Sequence, residues 1–180
     1  MNSNLKIINL EKVNSTSEVA KDLALRGVSD WTIVLGNMQE KGHGRKGEAW
    51  FSPLGGLYFS IILPKSNIND LQTLTVLAAF SVAQTLKENF QIEPLIKLPN
   101  DILLNQKKVC GILTENIIMG DKTLISILGI GLNTNIDFFP DDLKEIAISL
   151  KQVLSKEVDN YKILEQVVAS IKKQLEIINQ

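Results

Sequence analysis

Residues 41–56 read KGHGRKGEAWFSPLGG, with five glycines, the cations Lys41, Arg45 and Lys46, and the only histidine of the chain, His43. A stretch of this kind suits an anion. Glycines let successive backbone N–H groups converge on phosphate or carboxylate oxygens, and the basic side chains bring charge that a neutral linker would not need. Taken alone, the same residues fit a surface hairpin with solvated lysines equally well. A second group lies in KLPNDILLNQKKVCGILTE, residues 97–115. Lys97 sits in an apolar strand-like segment ahead of a Pro-Asn-Asp turn, where a solvent-facing lysine is common and an inward anion ligand rarer. Lys107 and Lys108 read as a solvated hairpin tip, Cys110 as a buried strand residue and Glu115 as a strand end in solvent. Gly129 and Gly131, in GIGLN, mark close approach of another group to the backbone.

Composition narrows the partners. At 180 residues, 44% hydrophobic and 22% charged, the chain is expected to form one domain, large enough to bury a core without disulfides or metal. A formal net charge of -1 offers no basic excess for a nucleic-acid backbone or an anionic membrane, so the anion is small and local. One cysteine cannot form an internal disulfide, and one His with one Cys leaves no ligand set for a structural zinc. The opening MNSNLKIINLEK has no apolar signal core and the longest apolar runs are strand-sized, so a cytoplasmic protein without a membrane span is expected.

The elements that must position these residues follow from periodicity. Residues 4–13 predict a leading strand, and Ser15-Thr16-Ser17-Glu18 a helix start with a capping box, the helix running over 16–26 to Gly27. Residues 31–35 predict the strand that enters the glycine-rich loop, and 57–63 the strand that leaves it, closed by Pro64. Asp70 to Phe90 carries Leu71, Leu74, Leu77, Ala78, Val82, Ala83 and Leu86 at helical spacing. Short strands are expected at 95–98, 101–104 and 108–116 with a hairpin turn at 105–107, then a central apolar strand at 123–131. Two helices complete the chain, one from Asp141 to about Leu154 and one from Asp159 or Asn160 to about Ile178. Hairpin strands with segregated helices make an α+β domain.

Four motifs in order carry a resemblance: Ser15-Thr16; Gln39 with the Gly42–Gly47 loop and Trp50-Phe51-Ser52-Pro53; Lys97-Leu98-Pro99-Asn100-Asp101 with Lys108-Val109-Cys110-Gly111-Ile112-Leu113-Thr114-Glu115; and Gly129-Ile130-Gly131-Leu132-Asn133. Together they resemble the catalytic domain of the biotin protein ligase family, the ligases that biotinylate the carrier of acetyl-CoA carboxylase, over about residues 8–178. The resemblance implies a mixed, largely antiparallel sheet flanked by helices, of the biotin/lipoate ligase-like and class II synthetase-like kind. It implies that biotin and ATP form biotinyl-5'-AMP with release of pyrophosphate, and that biotin then passes to one lysine of a biotin carboxyl carrier domain, without a covalent enzyme intermediate. A lipoate or octanoate ligase of the same fold, and a non-catalytic biotin-binding module, are the alternatives.

By the same resemblance, Lys97 and Arg45 are the catalytic cations. Ser15, Thr16, Ser17, Gln39, Gly42, His43, Gly44 and Gly111 face biotin. Arg45, Lys46, Gly47, Trp50, Lys97 and Asn133 face ATP or the adenylate. Mg2+ would arrive with ATP, and no protein metal ligand is assigned. The family loop has arginine where this chain has His43 and Lys46, tryptophan at Leu98 and asparagine at Ser17. No N-terminal helix-turn-helix domain and no C-terminal β-barrel domain are expected in residues 1–180, hence no repressor activity. Homodimerisation through the sheet is a further expectation that the resemblance brings.

Overall fold

The computed structural model describes residues 5–28, 31–63, 70–119 and 122–178. In chain order the strands are Lys6–Leu10 (β1), Thr32–Gly36 (β2), Leu57–Leu63 (β3), Leu95–Lys97 (β4), Asp101–Leu104 (β5), Lys107–Met119 (β6) and Lys122–Leu132 (β7). The helices are Thr16–Leu25 (α1), Leu71–Phe90 (α2), Leu150–Leu154 (α3) and Asn160–Ile178 (α4), with a single 3-10 turn at Arg45–Gly47. The strands form one sheet in the order β1-β2-β3-β7-β6-β5-β4. Only β1 and β2 pair in parallel, so the sheet is mixed and largely antiparallel, as expected. The apolar run of β7 is central for the usual reason: with a strand on each side and helices over the sheet, neither face sees much water.

One face of the sheet is the main core. Ile33, Phe59, Ile61, Ile112, Leu128 and Ile130 meet Leu74, Ala78, Val82 and Leu86 of α2 and Val167, Val168 and Ile171 of α4. The apolar stripes that periodicity marks on α2 and α4 are the faces buried here. The opposite face packs on α1 through Ala20, Ala24, Val34, Ile62 and Ile127. That helix is short and covers only part of the sheet. The uncovered part, over β6 and β7, is where the glycine-rich loop folds back.

Helix ends follow their side chains. Asp70 caps α2 by accepting from the backbone N–H of Gln72 and Thr73. Asp159 accepts from Lys162 N–H at the start of α4. Gly27, at φ +82°, closes α1. The capping box expected at Ser15 does not form. Ser15 has the extended conformation of an N-cap but its side chain makes no cap bond; Gln39 Oε1 satisfies a different free donor of the helix start, the Thr16 N–H.

The helix expected over 141–154 is mostly absent, and only its last turn, α3, is helical. The reason lies across the sheet. Residues 141–146 run as turns, and Ala147 then bridges to Lys108, whose N–H donates to Ile146 O and whose carbonyl accepts from Ile148 N–H. With Ile146 O and Ile148 N–H committed to that bridge the turns cannot run on as a helix, and helix starts only after Ser149, with its own capping box. Pro64 lies outside the described residues, as does the beginning of the strand expected from residue 4. No helix among the described residues is long and apolar enough to cross a membrane.

Candidate functional site

The glycine-rich segment makes its own small hairpin. Trp50 N–H donates to Gly42 O, Gly44 N–H to Glu48 O, and His43 pairs with Ala49. Its tip is the 3-10 turn at Arg45–Gly47, where Lys46 (φ +56°) and Gly47 (φ +76°) take left-handed conformations. Such a tip is freed from steric penalty at Gly47 and strained at Lys46. The loop's exit is pinned by Tyr58, whose hydroxyl donates to Pro53 O and whose burial pushes the phenol pKa far above its usual value.

Folded over the sheet, this hairpin roofs a cavity of about 270 Å³. The floor is backbone. Gly111 and Gly131 are cross-strand partners on β6 and β7, and Gly129 lies opposite Leu113. A methyl at Gly129 would stand 2.8 Å from Ser17 Oγ, and one at Gly111 would stand 3.0 Å from the Trp50 ring. The Trp50 indole lies against the Gly111–Gly131 pair, with its buried N–H lacking a protein partner.

A polar cluster closes the end near α1. Thr16 gives both its N–H and its hydroxyl to Gln39 Oε1, at 2.9 and 3.2 Å, and Gln39 Nε2 donates to Ser52 Oγ. The hydroxyls of Thr16 and Ser17 meet Ser60 of β3 at 2.8 and 3.1 Å. Ser15 and Ser17, from the start of α1, complete the wall. At the other end the walls are charged. Lys108 Nζ is 2.7 Å from Asp101 Oδ1 and 5.0 Å from the centre of the Trp50 ring. Arg45 Nη1 donates to Asn100 Oδ1 at 3.3 Å, and Asn100 Nδ2 donates to Asp101 Oδ1 at 3.1 Å.

Of the residues singled out from sequence, Ser15, Thr16, Ser17, Gln39, His43, Gly44, Arg45, Lys46, Trp50 and Gly111 all line this cavity. Four do not. Lys97 is exposed at the end of β4, paired in register with Asp101, and the lysine lining the cavity is Lys108. Gly42 lies behind the roof, where a methyl would meet Ser52 Oγ and Gln39 Nε2. Gly47 faces open space. Asn133 is buried and serves the backbone: its amide donates to the carbonyls of Lys108 and Ile148. It braces the segment that carries Lys108 rather than facing a ligand.

A bulge explains the exchange of lysines. In the β5–β6 pairing Ile102 faces Cys110 but Leu103 faces Lys108, so Val109 is an extra residue. Strict alternation from Gly111, on the cavity side, would send Cys110 to the core, Val109 to the cavity and Lys108 back to the core. The bulge sends both Val109 and Cys110 into the core and turns Lys108 to the cavity. Lys107, by contrast, is at the tip, reaching Lys144 O and Glu145. Cys110 is buried, and that burial raises its thiol pKa far above the usual range, with Lys108 opposing the shift and Asp101 adding to it. Glu115 is not a solvent end either; it pairs with Lys21 of α1 at 2.6 Å.

Chemically, the site offers a slot with a flat backbone floor, hydrogen-bonding groups at one end, and two cations and an indole at the other. Among the described residues no three His, Cys, Asp or Glu side chains gather to hold a metal ion. An acyl substrate with a polar flat head would lie on the glycines, its carboxylate towards the cations.

The sequence profile of the biotin/lipoate A/B protein ligase family matches residues 10–133. The bifunctional ligase/repressor BirA of Bacillus spizizenii is 37% identical over 171 residues, which are 93% of this chain and 53% of that protein. Its Bacillus subtilis counterpart is 38% identical over 165 residues, 89% of this chain and 51% of that protein. The chain thus spans about half the length of these relatives. The structure of biotin protein ligase from Aquifex aeolicus in complex with biotin and ATP superimposes with a TM-score of 0.86 at 34% identity, covering 97% of this chain and 72% of that one.

Proposed function

Because the chain belongs to the biotin/lipoate A/B protein ligase family, we propose that it carries the catalytic domain of a biotin protein ligase. It joins biotin to ATP as biotinyl-5'-AMP and then to a lysine of a biotin carboxyl carrier domain. The observation that supports biotin over lipoate is the mutual hydrogen-bond cluster of Thr16, Gln39, Ser17 and Ser60 at the closed end of the slot. The ureido head of biotin has two N–H donors and a carbonyl acceptor and can exchange bonds with such a cluster. A dithiolane ring has neither, and would lie against the cluster without gaining a hydrogen bond from it.

In the first step a biotin carboxylate oxygen attacks the α-phosphorus of ATP, and the bond to the β-phosphate oxygen breaks to release pyrophosphate. Two anions must approach one another, so the site supplies cations and N–H donors and no nucleophile of its own. Lys108 takes the role that resemblance assigned to Lys97, as the ammonium beside the joining carboxylate and phosphate. Arg45 comes over them with the roof, which keeps water from the mixed anhydride. Trp50 offers its face to adenine. Magnesium would come with the nucleotide substrate and offset charge on its phosphates; Asp101 and Glu48 are the carboxylates of the cavity lining that could face it, whereas the Asn133 amide is spent on the carbonyls of Lys108 and Ile148. In the second step the carrier's lysine amine attacks the acyl carbon and AMP leaves. Both ATP and a carrier domain are at hand in the cytoplasm, the location this reading proposes.

The test is to combine the chain with biotin, MgATP and a biotin carboxyl carrier domain and weigh the carrier. A mass gain of one biotinyl group on one lysine is expected. No gain with biotin, together with a gain when lipoate replaces it, would overturn the assignment.

A further inference from the structure

Arg45 and Lys108 come from distant parts of the chain and do not touch, yet both end on neighbouring residues of one turn. Arg45 donates to Asn100 Oδ1, Asn100 Nδ2 donates to Asp101 Oδ1, and that same oxygen holds Lys108 at 2.7 Å. The order of bonds is fixed by chemistry. A guanidinium can only donate and a carboxylate can only accept, so a side chain standing between them must accept on one arm and donate on the other. Asparagine does so in a single orientation. The turn itself is tied to β6, since Asn100 O accepts from Ile112 N–H at 2.9 Å. Asp101 and Lys108 are 21% and 31% exposed, so their pairing is only partly screened by water.

We propose that Asn100 and Asp101 are positioning residues that couple the roof to the reacting-end ammonium. The Asn100 amide latches Arg45 of the roof, Asp101 orients that amide while holding Lys108, and closing of the roof and placement of Lys108 therefore occur together. The roles of the two cations in catalysis rest on the ligase reading above, but the latch does not. In the absence of substrate the acceptor oxygens of Asn100 and Asp101 occupy both cations, and an incoming carboxylate or phosphate takes their place without leaving either cation unpaired.

The coupling is testable on the ligand-free chain, because the exposed Arg45 and Lys46 at the roof tip are trypsin sites. Asn100→Ala should raise cleavage after Arg45 and Lys46 about fivefold, the upper worth of one exposed contact to a charged group. Asp101→Ala touches no roof residue and should raise it by a similar factor. Asp101→Asn keeps an acceptor for Asn100 and should stay within about twofold of wild type, while lowering kcat/KM for adenylate formation about tenfold through loss of the charge beside Lys108. Thermal melting identifies any variant that fails to fold, and Asn100→Ser then replaces Asn100→Ala. Wild-type cleavage of a folded Asp101→Ala chain would overturn the coupling. The cleavage result holds whether or not the chain makes biotinyl-adenylate, so failure of the latch and failure of the ligase reading are told apart.

Discussion

Lys108 Nζ lies between the Asp101 carboxylate, 2.7 Å away, and the Trp50 ring, 5.0 Å from its centre. One side holds the ammonium in an ion pair and the other is an apolar face that an incoming base could share. The position of Lys108 over the cavity separates it from Lys97, which lies outside.

Lys108→Ala should therefore lower the rate of biotin-dependent adenylate formation by about 10²–10³-fold, the usual loss when one charge-stabilising donor is removed. Lys97→Ala should stay within severalfold of wild type. Pyrophosphate exchange into ATP measures both. The reverse ranking would return the catalytic role to Lys97.

Gly131→Ala is expected to push Trp50 off the sheet, since the new methyl would occupy the space of the indole N–H edge. Overpacking of this kind costs about 1–3 kcal/mol. Intrinsic fluorescence reads the change cleanly in a Trp31→Phe background, because Trp31 and Trp50 are the two tryptophans of the chain. An altered emission with roughly tenfold weaker nucleotide binding is expected; an unchanged spectrum would show that Trp50 does not rest there.

His43 lines the cavity beneath the roof, with Nδ1 3.3 Å from Lys41 O. His43→Arg adds a permanent charge facing the bound adenylate. Release of biotinyl-adenylate should slow severalfold, in keeping with about 1 kcal/mol for a partly exposed charge. Stopped-flow displacement gives the off-rate, and an unaltered value would remove any charge role for this side chain.

Asp70 carries a stability prediction with a definite sign. Hydrogen bonds from the Thr73 side chain and from the Gln72 and Thr73 backbone lower its pKa below 3.8. A lowered carboxylate pKa stabilises the fold at pH values above the unfolded-state value, and that contribution is lost as pH falls through the folded-state value. Asp70→Ala should lower the melting temperature at neutral pH, and the difference from wild type should shrink as pH falls below 3.8. A difference that stays constant down to strongly acid pH would contradict the capping role.

Cys110 should be silent towards thiol reagents in the folded chain, since burial keeps it protonated and out of reach. Reaction with Ellman's reagent at the rate of the unfolded chain would contradict its place in the core.

Much of this protein is visible in its residues. Alternation and helical spacing place β2, β3, β7, α2 and α4, because each buries a continuous apolar face whatever its neighbours are. The glycines of residues 42–47 and 129–131 announce a loop and a floor that side chains would block. The segment 141–148 reads as helix and is a run of turns, cut short where Lys108, a partner far away in sequence, claims Ile146 O and Ile148 N–H. Ser15 reads as a side-chain helix cap, yet its side chain makes no cap bond and the residue lines the cavity, while Gln39, far along the chain, bonds the neighbouring Thr16 N–H.

By itself the sequence determined that a basic, glycine-rich loop would face a sheet with a bare floor, and its resemblance to the ligases implied a lysine at the reacting end. Which lysine lines the cavity was decided only by tertiary structure. The period of a strand is two, and a single extra residue, Val109, inverts every side chain between it and the hairpin tip. Nothing in the order of residues marks that bulge. It is set where β5, β6 and the 146–148 segment meet, and it turns Lys108 inward while Lys97 stays in water.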